Sequence, residues 1–225
     1  MTSTPTLRYE RELLRSGITL LGCVDEVGRG ALSGPVTLGI VVVSASTKSA
    51  PQGVRDSKLL SAQVRERLAP RIRRWALDHA VGHASSDEID EYGLMAAMRI
   101  AGRRALEQLT YVPDLLLLDG NHDYLSPPVQ EGLFGDPDLA EMPRVVTRIK
   151  ADMRCAGVAA ASVLAKTTRD AIMLELDAEH PEFCWADNKG YSAPAHMDAL
   201  TRLGPTRHHR RSWALPGIES LGSTS

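Results

Sequence analysis

Leu20-Leu21-Gly22-Cys23-Val24-Asp25-Glu26-Val27-Gly28-Arg29-Gly30 runs an apolar strand into two adjacent carboxylates and then into an arginine between glycines. Neighbouring residues on a regular strand point to opposite faces. Asp25 and Glu26 are therefore expected to share a site only where the strand ends, after Val24, and its backbone turns. Gly28 and Gly30 permit that turn: each can take φ > 0, and without a Cβ each lets the backbone amides around Arg29 approach a ligand closely. Two acids beside such a bend suit a hard divalent cation, which prefers oxygen ligands. The competing reading is a solvated Asp-Glu pair at an ordinary strand exit.

Working outward, residues 35–43 are long, apolar and β-branched and read as a second strand. Residues 31–34 are too few for a crossover helix, so the first two strands should be antiparallel neighbours. Residues 44–55, rich in Ser, Pro and Gly, form a surface loop. Asp56-Ser57-Lys58 then precedes a helix with Ser61 as its N-cap and Val64, Leu68, Ile72 and Trp75 at helical spacing. Pro70 is expected to kink or split it. Residues 79–84 read as a third strand. Ser86 and Asp87 should cap the helical region that follows, which breaks near Gly93 and resumes over 94–109. Residues 114–118 are an uninterrupted apolar strand of the kind buried on both faces. Asp119 terminates it, where open α/β sheets place chemistry.

Residues 122–142 form a Pro- and Gly-rich loop, 144–149 a fifth strand, 150–155 its exit, and 157–179 a long Ala- and Leu-rich helix closed by Pro181. These elements predict an α/β fold, a mixed five-stranded sheet flanked by helices. The expected organisation is an N-terminal segment (1–18, with a short helix over 9–14), a main domain (19–181), a small C-terminal helical appendage (182–215, with a helix over 192–203) and a disordered tail (216–225).

Composition narrows the class. A chain of 225 residues can bury a sizeable core, built mainly of aliphatic residues because only two Phe are present. Three cysteines, Cys23, Cys155 and Cys184, without a C-x-x-C pair, speak against a disulfide framework or a structural zinc built on cysteines. No apolar stretch reaches the roughly 18 residues of a membrane span, and no export signal is recognisable. A cytoplasmic protein without membrane contact is expected. The net charge of −2 does not favour nucleic acid, so any phosphate-binding face must be local. Arg65, Arg67, Arg71, Arg73 and Arg74 read as a solvated helix face. Arg202, Arg207, His208, His209, Arg210 and Arg211, next to Trp213, could touch a substrate or tie the tail to the domain.

Residues 24–36 (VDEVGRGALSGPV) resemble the signature of the ribonuclease HII family. DSKLLS (56–61), EIDEYGL (88–94), LLLLDGN (115–121), AAASVLAKTTRD (159–170), NKGY (188–191) and HHRRSW (208–213) agree with it in order and spacing. The resemblance implies a ribonuclease H-like fold, which would put the first and fourth strand ends side by side so that Asp25 and Asp119 meet, and a metal-dependent endoribonuclease. Its substrates would be RNA in RNA–DNA hybrids and single ribonucleotides in duplex DNA, cut on the 5′ side to leave a 3′-hydroxyl and a 5′-phosphate. Two Mg²⁺ or Mn²⁺ ions, about 3.5–4 Å apart, would serve catalysis and need several carboxylates. Asp25, Glu26 and Asp119 supply three. The fourth is Asp152 or Asp170, and 18 residues of helix would separate them by roughly 27 Å, so only one can join. Asp152 follows a strand end on the same edge and, by resemblance, takes the family's fourth acidic position, with Ala151 where the family usually has Gly. Asp170 is left for a structural ion pair.

By the same resemblance, the backbone of Gly28, Arg29 and Gly30 would read the ribose 2′-hydroxyl, the group that separates RNA from DNA. Tyr191 would stack on the adjoining sugar, and Lys58 and Lys166 would meet substrate phosphates. Each has a plainer alternative: Lys58 as an exposed lysine, Lys166 as a snorkelling one, Tyr191 as an anchor of the appendage. One departure is Asn188, where relatives often carry His before Lys-Gly-Tyr. Rival readings are ribonuclease HIII or a DNA resolvase of the same fold, a catalytically inactive nucleic-acid-binding module, and a P-loop protein, whose Lys-Ser/Thr spacing is missing here. A monomer is expected. Protein partners are left open, and the tail shows no glutamine-plus-paired-aromatic clamp-binding motif.

Overall fold

β1 (Leu20–Val27), β2 (Val36–Ser44), β3 (Asp78–Ala84), β4 (Leu115–Asp119) and β5 (Arg144–Arg148) form one sheet in the order β3-β2-β1-β4-β5. This is a computed structural model, and it describes residues 4–126 and 142–216. The loop expected over 122–142 lies mostly outside the described residues, as do residues 1–3 and almost all of the tail expected over 216–225. β1 is antiparallel to β2 and parallel to β4, so the sheet is mixed as expected.

Alternation along β1 divides the core. Leu21 and Cys23 join a cluster with Leu117, Val158 and Leu164 on one face, while Val24 packs with Leu38, Leu118 and Met98 on the other. The first face is covered by α1 (Arg8–Arg15), α2 (Ala62–Trp75) and the long α6 (Ala156–Glu179), the second by α4 (Leu94–Glu107). Burying each such aliphatic side chain contributes about 1.5–3 kcal/mol. The early part of α6 is buried almost all round because Ala, Gly and Val there let it lie close to the sheet.

Several local expectations need correction. β1 does not end at Val24: it stays paired with β2 through Val27↔Thr37, while its pairing with β4 stops at Val24↔Leu118. The acids therefore sit on a strand that has lost one neighbour, not on a turn. Pro70 does not split α2, whose Leu68, Ala69 and Ile72 are buried on both sides of it. The cap of α3 (Ser86–Tyr92) is Ser85, which forms a reciprocal capping box with Glu88. Ser86 instead donates its hydroxyl to the His208 carbonyl at 2.7 Å. The exit after β5 contains a short helix, α5 (Ala151–Arg154), entered through Lys150 in the left-handed region and broken from α6 at the extended Cys155.

After α6 the chain forms α7 (Trp185–Asn188) and α8 (Pro194–Leu203). Phe183, Trp185, Ala199, Leu200 and Leu215 bury against Met173 of α6 as a third cluster. Among the described residues, no helix is long and apolar enough to cross a membrane.

Candidate active site

Because β4 stops while β1 continues, the sheet has a notch at the ends of these strands. Strand alternation sends Asp25 to the α6 face and Glu26 to the α4 face. The Asp25 carboxylate is 4% exposed and accepts from the Glu26 N–H at 2.9 Å. Burial pushes it well above the usual carboxylate range, the Glu26 charge pushes it further, the Ser162 hydroxyl opposes this, and Asp119 and Asp152 add to the rise. On the other face the Tyr124 hydroxyl donates to Glu26 Oε2 at 2.9 Å. Asp119, on the last residue of β4, accepts from the Ala151 N–H at 2.6 Å, which fixes the start of α5 against it. Asp152 follows on α5, and burial, then the charges of Asp119 and Asp56, push its carboxyl up to about 6.

The structure thus brings Asp25, Glu26, Asp119 and Asp152 to one end of the sheet. Asp170, on α6, is engaged elsewhere, with Arg65 at 3.1 Å and Lys166 at 2.6 Å. Lys58 stands in the field of the acids. Burial alone would lower its ammonium, but Asp25, Asp56, Asp152 and Glu26 together outweigh that and raise it. Asp56 accepts from the Lys58 N–H at 3.0 Å and sets the short turn that aims this lysine.

Beside the acids lies a cleft of about 280 Å³ lined by Glu26, Val27, Gly28, Arg29, Gly30, Ser57, Lys58, Lys166 and Tyr191. All six substrate-facing candidates from the sequence share it. Lys166 lines it with its amine already bonded to Asp170, and burial lowers that amine despite the bond. Tyr191 is 37% exposed, with its ring 5.6 Å from the Arg169 guanidinium carbon. The two glycines of the turn differ. Gly28 has φ +86, and a Cβ there would lie 2.2 Å from Arg169 Nε and 2.7 Å from the Pro35 carbonyl. Gly30 does not take a positive φ, contrary to expectation, and a Cβ there would meet nothing within 4 Å.

Two buried arginines hold this turn: Arg169, to which the sequence reading gave no role, and Arg210, which it left between substrate contact and tying the tail. Arg169 donates to the carbonyls of Pro35, Ser33 and Lys189 at 2.8–3.0 Å. Arg210 donates to those of Arg29, Gly28 and Gly34 at 2.6–3.2 Å. A trans peptide directs its N–H opposite its C=O. With the Gly28 and Arg29 carbonyls turned to Arg210, the N–H groups of Arg29 and Gly30 point away from it. Burial and the neighbouring Arg169 push the Arg210 guanidinium down to about 9. His209 and Arg210 are fully buried, so this part of the basic run ties the tail to the domain.

Tyr191 is held from behind by two more buried residues. The Thr206 N–H donates to His209 Nδ1 at 3.0 Å, the Nε2 atoms of His209 and His196 lie 3.0 Å apart, and His196 Nδ1 lies 2.8 Å from the Tyr191 carbonyl. Each ring can be neutral with one donor and one acceptor nitrogen, and the chain of bonds then closes. Asn188, the departure noted above, is used locally: its amide donates to the Phe183 carbonyl and accepts from the Gly190 N–H. Tyr124, also missed, was obscured by the polar loop around it.

The sequence profile of the family described as Ribonuclease HII matches residues 21–215. The Ribonuclease HII of Streptomyces avermitilis is 46% identical over 211 residues, covering 93% of this chain and 84% of that protein. That of Paracoccus denitrificans is 43% identical over 210 residues, covering 93% of this chain and 92% of that protein. Among solved structures, the ribonuclease H2 from Pyrococcus horikoshii OT3 superposes with a TM-score of 0.64 at 26% identity, covering 87% of this chain and 94% of that one.

Proposed function

This chain belongs to the ribonuclease HII family, and we propose that it hydrolyses RNA in RNA–DNA hybrids and cuts duplex DNA on the 5′ side of single embedded ribonucleotides. As a member of that family it is a metal-dependent endonuclease. The observation that carries the finer reading is the pairing of four acids, on β1, β4 and α5, with a cleft that holds the glycine turn, Lys58, Lys166 and Tyr191.

The acid set suits hard divalent cations. Its donors are all oxygens, and burial with mutual repulsion leaves Asp25 and Asp152 reluctant to ionise unless positive charge joins them. Asp25, Glu26, Asp119 and Asp152 would hold Mg²⁺ or Mn²⁺, two ions during catalysis. Bound there, such ions supply activation of water and neutralisation of charge on the scissile phosphate. The chain's own groups do the rest. Tyr124 fixes one oxygen of Glu26 and the Ala151 N–H one oxygen of Asp119, so both carboxylates are oriented before substrate arrives. Lys58 places an ammonium where a phosphate would enter. The N–H groups of Arg29 and Gly30, turned from Arg210, can donate to a ribose 2′-hydroxyl that deoxyribose lacks. Tyr191 gives the adjoining sugar an apolar face, and Lys166 exchanges part of its Asp170 contact for a phosphate oxygen. The products would be a 3′-hydroxyl and a 5′-phosphate. We place the protein in the cytoplasm as a monomer acting on these duplexes.

The test is an end-labelled DNA duplex with one ribonucleotide, incubated with Mg²⁺ or Mn²⁺ or with chelator, beside an all-DNA control. A single metal-dependent cut 5′ to the ribonucleotide is expected. Cutting of the all-DNA duplex would overturn the ribose assignment, and binding without any cut would leave an inactive nucleic-acid-binding module.

A further inference from the structure

At the far end of α6, Glu179, His180 and His208 bring a carboxylate oxygen and two imidazole nitrogens within 4.8 Å of one another, the one such group of three among the described residues. We propose that these residues form a second metal site, for Zn²⁺ or a similar borderline ion, that clips the segment carrying His208 to the end of α6. The proposal does not depend on the catalytic reading, because its ligands and the chemistry of its ion both differ.

The donor set separates the two sites. Four carboxylates favour hard ions, whereas two imidazoles and one carboxylate are an ordinary Zn²⁺ complement with a fourth position left for water. The ring nitrogens are in usable form. Arg207 Nε donates to His208 Nε2 at 3.2 Å, so that nitrogen carries a lone pair, directed at the guanidinium. His180 Nδ1 lies 3.2 Å from Glu182 Oε1; donation there orients the ring and leaves Nε2 with its lone pair, as a carboxylate does for a metal-bound histidine. Glu179 Oε2 lies 3.7 Å from His208 Nε2 and 3.6 Å from Arg207 Nη2.

A cation therefore already bridges the carboxylate and the imidazole, in the form of a guanidinium on a side chain that is 71% exposed. It can swing into solvent and surrender its place. Glu179 and His180 also stand at the C-terminal end of a 24-residue helix, where the backbone carbonyls favour positive charge. Zn–N and Zn–O bonds of about 2.0–2.2 Å require the ligand atoms to draw together. Glu179, 55% exposed, is free to make that movement.

The clip would act at the cleft. The His208 carbonyl accepts from the Gly34 N–H at 2.8 Å and from the Ser86 hydroxyl, and Arg210, two residues on, holds the Gly28 and Arg29 carbonyls. Fixing His208 to α6 should stabilise the segment that frames the glycine turn.

The experiment is Zn²⁺ titration calorimetry with the full-length chain carrying Asp25→Asn and Asp119→Asn, so that the carboxylate end does not compete. One Zn²⁺ per chain is expected, with the melting temperature raised by about 2–4 °C. Glu179→Gln and His208→Gln should each weaken binding at least about tenfold, a loss of about 1.4 kcal/mol. Arg207→Ala should tighten binding by removing the competing cation, an outcome that a simple ion-pair cluster does not produce. If His208→Gln fails to fold, the exposed Glu179→Gln and Arg207→Ala pair decides the matter alone. No Zn²⁺ binding, or binding of equal strength in all variants, overturns the proposal.

Discussion

Asp25, Glu26, Asp119 and Asp152 gather four acids at the ends of β1 and β4 and on α5, whereas the turn a few residues further on, 28–34, has its carbonyls held by the buried cations Arg169 and Arg210. In the first region burial and the neighbouring like charges raise the affinity of Asp25 and Asp152 for protons. In the second, each guanidinium donates to three backbone carbonyls. A site that awaits cations must leave its electrostatics unbalanced. A site that reads shape must be finished before the ligand arrives. The two sit side by side because β1 continues past β4 and then turns at Gly28.

The largest effect should come from the unbalanced side. Asp119→Asn keeps an oxygen to accept from the Ala151 N–H but removes a charge, and should cut cleavage of a ribonucleotide-containing duplex by at least about 10²–10³-fold with folding and duplex binding retained. An active Asp119→Asn enzyme would end the metal assignment. The two glycines sharpen the contrast. Gly28→Ala should destabilise the protein by about 3 kcal/mol, because its φ of +86 and its contact with Arg169 leave no room for a Cβ. Gly30→Ala should melt within about 0.5 kcal/mol of the parent, as surface substitutions do, yet lose about tenfold or more in ribonucleotide cleavage, because its Cβ would hold the ribose off the backbone N–H groups, a loss the size of one hydrogen bond to substrate. Equal melting temperatures for the two variants would break the comparison.

Tyr191→Ala should slow single-ribonucleotide cleavage by about 10–100-fold, the order of one stacking contact, and an unchanged rate would remove the tyrosine from substrate binding. The smallest effect is thermal. The Asp152 carboxyl, raised from 3.8 to about 6 in the folded chain, binds its proton more tightly folded than unfolded. Metal-free stability is thus unaffected by it below about pH 4 and falls as pH rises through about 6. Metal-free Asp152→Asn should therefore melt about 2–4 °C higher than the parent at neutral pH, and no higher near pH 4.

The mixed sheet with antiparallel β1 and β2 was legible because apolar runs and short connections are local signals, whereas the meeting of Asp25 with Asp119 followed from the family resemblance. The split between Asp152 and Asp170 was also legible, since helical rise alone keeps them apart. The continuation of β1 past Val24 was not, because Asp and Glu carry no strand propensity and only the pairing with β2 sustains them. The hold of Arg169 and Arg210 on the turn was hidden for a related reason. A buried arginine is betrayed by its partners, and here the partners are backbone carbonyls, which leave no mark in the side-chain sequence. Tyr124 was a single aromatic in a polar loop, with nothing to connect it to Glu26 98 residues away.

The most direct test of the contrast is the melting temperature of the full-length chain and of its Asp25→Asn/Asp119→Asn variant, each without metal and with saturating Mg²⁺, a hard ion that the histidine cluster should ignore. The account predicts that the metal-free variant is at least as stable as the parent and that Mg²⁺ stabilises the parent alone. An equal Mg²⁺ shift in both, or a metal-free variant that melts well below the parent, would contradict it.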